Sequence, residues 1–106
     1  MFIAMVKGNV VSTQKDEHLE GCKLLVVEPL QVVYSTDGGG AYQVTGRAIV
    51  AIDRIGAGEG ELVLVSQGSS ARLAKGLKNA PIDAAVIGLI DKAMVNGSQM
   101  TFDPEK

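Results

Sequence analysis

Tryptophan is absent from this sequence, cysteine and histidine occur once each, and the aromatics are two tyrosines and two phenylalanines. Each scarcity removes a class of chemistry. A lone Cys22 cannot close an intramolecular disulfide, which points to a reducing cytosol. It also lacks the paired ligands of a zinc site, and His18 has no second histidine to work with. No apolar run approaches the ~20 residues that cross a bilayer. The opening Met-Phe-Ile-Ala-Met-Val-Lys has no basic head or small-residue cleavage site, so no secretory leader is expected. A net charge of −2 leaves no cationic footprint for nucleic acid or an anionic membrane. Valine, leucine, isoleucine and alanine must therefore build the core of a soluble, cytosolic, β-rich chain. Its 106 residues suffice for one domain with a modest core.

Alternation supplies the strands. Residues 2–13 put Phe2, Ala4, Val6, Gly8, Val10 and Ser12 on one small-to-apolar face, and Gly8 in mid-strand predicts a bulge or sharp bend. Residues 14–21 are polar and charged, a surface loop. The stretch 23–33 is apolar on both faces, and Pro29, which cannot donate to a ladder, marks an edge or a break. Ser-Thr-Asp-Gly-Gly-Gly within 34–42 predicts a protruding hairpin. Further strands are expected over 45–53, 61–67 and 84–90. Ser69 or Ser70 can cap a short helix over 71–78, held to about two turns by Gly76. Asn96-Gly97 is another hairpin signal, followed by a short strand at 100–102 and a tail at 103–106. Five short strands and one small helix describe a mainly β domain, a small closed or nearly closed barrel spanning 1–106.

One feature does not suit a solitary barrel. Several strands are apolar on both faces, whereas a small barrel in water needs only its interior apolar. Covering an outer face of Val27, Val33, Ile49 or Val63 requires another layer, and other copies of the chain supply it most economically.

The stretch 56–72 carries the strongest lures. Gly56, Gly58 and Gly60 spell G-x-G-x-G, but the dinucleotide pattern needs another spacing, and this run joins two strands with no helix dipole behind it. Gly68-Ser69-Ser70-Ala71-Arg72 has arginine where a nucleophile elbow needs glycine, and His18 is the only candidate base. Tight turning or close backbone approach explains the glycines, capping explains the serines, and a carboxylate contact explains Arg72. Asp53 and Glu61 flank the glycines and are expected to pair with Arg54 or Arg72 rather than act as an acid–base couple. A barrel binding single-stranded nucleic acid or a small ligand is the competing reading. Its exposed aromatics on a basic groove are missing here. A small enzyme would need a polar pocket of perturbed groups, and no catalytic, metal-binding or cofactor-binding residue stands out.

Gly8-Asn9-Val10-Val11-Ser12-Thr13-Gln14-Lys15, Leu19-Glu20-Gly21 and Lys23-Leu24-Leu25-Val26-Val27 resemble the opening of the EutN/CcmL family. The likeness runs on through Val50-Ala51-Ile52-Asp53, Ile55-Gly56-Ala57-Gly58, Gly60-Glu61, Val63-Leu64, Gly68-Ser69-Ser70-Ala71-Arg72 and 81–91. It covers nearly the whole chain in order. The departure is at 31–47, where the hairpin is longer than the family's usual connection. The resemblance implies a barrel related to the oligonucleotide-binding fold, assembled as a cyclic homopentamer. It implies a structural role without cofactor: a vertex of a cytoplasmic, carboxysome-like microcompartment shell. Its partners would be further copies of itself and hexameric or pseudohexameric shell proteins, with neither nucleic acid nor membrane. Flat hexameric tiles cannot close a polyhedron, and fivefold units must occupy its corners. Gly56, Gly58, Gly60, Ser69, Ser70 and Arg72 are the residues expected at the subunit interface, and the extended hairpin is expected to project from the ring.

Overall fold

The computed structural model describes residues 1–11, 23–34, 36, 38–68 and 83–102. Five strands close a barrel: β1 (Phe2–Val10), β2 (Lys23–Tyr34), β4 (Ile49–Asp53), β5 (Leu62–Gln67) and β6 (Ala84–Leu89). Their order is β1-β5-β6-β4-β2, and β2 pairs back onto β1. These are the five strands that alternation predicts. All pairs are antiparallel except β4 with β6. The distal half of β2 leaves the barrel and pairs with β3 (Gly40–Val44), forming an arm. A small hairpin, β7 (Met94–Val95) and β8 (Ser98–Gln99), precedes β9 (Thr101–Phe102), which runs parallel to β3. The predicted 14–21 loop and 71–78 helix lie outside the described residues.

Pro29 marks the changeover. Up to Val27, β2 has β4 as its neighbour; from Leu30 onward it has β3. A residue without an amide proton suits the point where one ladder stops and the next begins. The strand expected over 45–53 is shorter at its start because 45–48 turns between β3 and β4. The Thr45 hydroxyl donates to the Pro29 carbonyl at 2.7 Å, and the Gly46 amide donates to Glu28 at 3.0 Å.

Ala4, Val6, Leu25, Val27, Ala51, Ala57, Val63, Val65, Ala84 and Val86 fill the barrel, with Phe2 and Ile49 packed at its edge. Alternating alanine with branched side chains lets the facing layers interdigitate in a narrow interior. Leu25, Val27, Val63 and Val65 are each at most 2% exposed, and burying such a side chain stabilises by roughly 1.5–3 kcal/mol.

The two-faced strands resolve differently from expectation. Val27 and Val63 point inward, and the outer partners across β2 and β4 include Val26 and Val50. Gly8 sits at a bulge, as its position predicts, with Lys7 as the extra residue between the Val6 and Gly8 registers. The insertion reverses the alternation, so the single face proposed for 2–13 breaks there: Asn9 lies opposite Leu25, and Val10 opposite Leu24. Part of the outer surface is covered by the chain itself. Ile3, Met5 and Leu62 on the barrel wall pack with Leu30, Tyr42 and Val44 of the arm and with Ala93, Val95 and Met100.

Candidate subunit interface at the 53–61 loop

Strand β4 ends at Asp53, and the chain must return within eight residues to start β5 on the far side of β6. Asp53 makes that return possible. One carboxylate oxygen accepts the amides of Ile55 and Gly56 at 3.0 and 3.1 Å, and the other accepts the amide of Ala57 at 2.9 Å. Consecutive amides converging in this way form an anion nest. The glycine-rich run does cradle an anion, and the anion is the chain's own carboxylate.

The partner charge is Lys23, at the start of β2, with its Nζ 3.8 Å from the Asp53 carboxylate. The same ammonium donates to the Ala57 carbonyl at 3.0 Å. Among the described residues Lys23, not the expected Arg54, is the cation paired with Asp53, and the expected pairing with Arg72 lies outside the described residues. Thirty positions separate the two groups, and only the β2–β4 register, which sets Lys23 opposite Asp53, brings them together.

The second half of the loop is tied to β1. Gly60 donates to the Val6 carbonyl at 2.8 Å, and the Val6 amide donates to the Glu61 carbonyl at 3.0 Å. Glu61 also bends back, accepting the Gly58 amide through its side chain. Gly56 and Gly60 have φ of +84° and +88°, left-handed values at which a side chain is strained. Gly58 lacks that constraint; a Cβ there would lie 3.3 Å from the Glu61 carboxylate. The glycines thus have reasons within their own chain to be glycine. Ser69, Ser70 and Arg72, the other half of the expected interface set, lie outside the described residues, as do His18 and Cys22.

This geometry leaves little for acid–base chemistry. Both Asp53 oxygens and the Glu61 side chain are engaged by amides. Among the described residues, no three His, Cys, Asp or Glu side chains converge as metal ligands would. The loop roofs a cavity of about 90 Å³ between Leu25, Lys23 and Ala57. At the opposite mouth a larger opening of about 560 Å³ lies over Phe2 and Ile49, rimmed by Gln31, Arg47 and Gln67. Sequence reasoning missed Lys23, Val6 and Glu28 as fasteners. The one available signal was Asp53 three positions before a glycine, the spacing of an aspartate that caps its own turn.

Residues 1–91 match the family described as Ethanolamine utilisation protein EutN/carboxysome. The chain belongs to the EutN/CcmL family. The shell vertex protein GrpN of Rhodospirillum rubrum is 46% identical over 91 residues, 86% of this chain and 93% of its own. The shell vertex protein EutN of Escherichia coli K12 is 41% identical over 102 residues, 96% of this chain and 98% of its own. Among solved structures, CcmL of Gloeobacter violaceus superposes with a TM-score of 0.78 at 38% identity, covering 93% of this chain and 94% of that one. The GrpN structure, described as a pentameric microcompartment shell protein, superposes with a TM-score of 0.68 at 43% identity, covering 86% and 94%. The EutN/CcmL barrel is therefore the barrel of this chain, and the 53–61 loop is a fold element inside the matched region. The segment from residue 92 onward lies beyond the family match.

Proposed function

We propose that this chain is a structural subunit of a bacterial microcompartment shell, a cyclic homopentamer that occupies the vertices where flat tiles cannot close. The observation that carries this is the likeness, over most of both chains, to GrpN, a relative whose structure is described as pentameric. The chain's own surface supports it. Val50 on β4 and Leu89 on β6 are exposed apolar side chains on the barrel. A subunit of a head-to-tail ring meets each of its two neighbours with a different surface.

In this reading the role is architectural and the location is the shell, inside the cytoplasm. Hexameric and pseudohexameric shell proteins are the lateral partners, and the arm is the element that projects toward them. Gly56, Gly58, Gly60, Ser69, Ser70 and Arg72 are assigned to the contact between subunits. The 53–61 loop is held rigid from within, so it can present its outer backbone to a neighbour at little entropic cost.

Light scattering tests the ring. The expected mass is five times the 11.1 kDa of one chain, and a monomer would overturn the proposal. Arg72→Ala is expected to lower that mass; an unchanged oligomer would remove Arg72 from the interface and leave the vertex assignment standing.

A further inference from the structure

Among the described residues, two hydrophobic clusters share no member. The barrel core draws no residue from beyond Val86. The second core joins three parts: the barrel wall through Ile3, Met5 and Leu62, the arm through Leu30, Tyr42 and Val44, and the segment after the barrel through Ala93, Val95 and Met100. A two-stranded arm leaving a barrel is marginal by itself in water. Here its outer edge is taken by β9, which pairs with Ala41 and Tyr42.

The fit of this segment on the arm is close. A Cβ built on Gly40 would lie 2.6 Å from Val95 Cγ2, 2.9 Å from Val95 Cβ and 3.2 Å from Met100 Cγ. Asn96 and Gly97 take φ of +51° and +80°, turning β7 into β8 and delivering the Asn96 side-chain amide to the Gly38 carbonyl at the tip of the arm. The Met100 amide donates to the Ala93 carbonyl at 2.8 Å, closing the segment on itself. Among the described residues, the last backbone tie to the barrel is the Ile90 amide on the Leu62 carbonyl at 2.9 Å. Asp91 and Lys92, which follow, are exposed.

We propose that residues 93–102 are a clasp that sets the angle of the arm against the barrel and can release without opening the barrel. Three observations carry this: the two clusters with no shared member, the two-residue parallel pairing that is the clasp's only sheet contact with the arm among the described residues, and the exposed residues at 91–92. Regions with few and small contacts open first, while the tighter core stays shut. Resting on the vertex reading above, the clasp also sets the angle at which a pentamer meets flat shell proteins.

The test uses the full chain, Gly40→Ala and Gly40→Leu variants that drive Val95 off the arm, and a chain ending at Asp91. Hydrogen exchange is expected to quicken by about tenfold or more in residues 40–44 and to stay unchanged in 62–67. Val95→Gly is expected to restore the protection lost in Gly40→Ala. Solution mass should remain that of the wild type, and co-expression with a hexameric shell protein should give mostly unclosed shells. Exchange that rises equally in 62–67, an insoluble chain after truncation, or arm protection unaltered by Gly40→Leu would each overturn the clasp. Shells that close normally around an unclasped arm would overturn its part in assembly. A wild-type monomer would instead count against the vertex reading, since the exchange result does not depend on the ring.

Discussion

Both oxygens of Asp53 are committed to backbone amides, and its side chain is 1% exposed. Asp53→Ala leaves three amides without their acceptor and Lys23 without its counter-charge, a loss of about 3 kcal/mol in total. An unfolding free energy lowered by that amount is expected in urea denaturation, with Asp53→Asn falling between because one acceptor oxygen survives. Tyr42 gives a pH signature. Burial raises its phenol above the ordinary 10.0, so the unfolded chain loses that proton at a lower pH than the folded chain. Its contribution to stability is full below about pH 10 and is lost as pH climbs from there toward the folded value. Stability measured from pH 8 to 11.5 should therefore fall on the alkaline side, and Tyr42→Phe should flatten that limb. The turn-capping spacing of Asp53 was present in the sequence, but its pairing with Lys23 and the packing of Tyr42 with Met100 were not legible, since each joins distant segments.

At the scale of elements, the 53–61 loop separates two uses of glycine. Gly56 and Gly60 hold left-handed backbone, where an L side chain costs roughly 1–2 kcal/mol. Gly58 does not, and the atom a Cβ would crowd belongs to the flexible Glu61 side chain. Gly56→Ala and Gly60→Ala should each lower the unfolding free energy by about 1 kcal/mol or more, against under about 0.5 kcal/mol for Gly58→Ala. Equal losses at all three positions in chemical denaturation would contradict this division. The bulge at Gly8, the ladder change at Pro29 and the Asn96-Gly97 turn were legible because each rests on a local backbone constraint. The facing of the strands was not. In β2 and β5 both faces are apolar, so alternation cannot say which one is inside, and the extra Lys7 reverses it partway along β1.

At the scale of the molecule, β1 closing onto β2 removes the edges of the barrel, and the arm is the part that leaves it. What the closed barrel cannot hide is its outer apolar surface. The chain covers one portion with its own arm and clasp, while Val50, 50% exposed, and Leu89, 49% exposed, stay open on a single chain. Fivefold assembly is the use to which the proposed function puts that remainder, and the solution mass decides it.

Composition and alternation alone determined a β-rich domain of five barrel strands with an extended hairpin, and motif order alone placed it in its family. These depend on residues close together in the chain, each expressing a local preference. Tertiary structure decided which faces point inward, which charge meets Asp53, and that residues 93–102 fold back onto the arm. It also decided what the glycine-rich run does. Its pattern invited an outside anion, but Asp53, two to four positions upstream, fills the nest and strand register adds Lys23 beside it, leaving the loop's outer backbone for whatever packs against it.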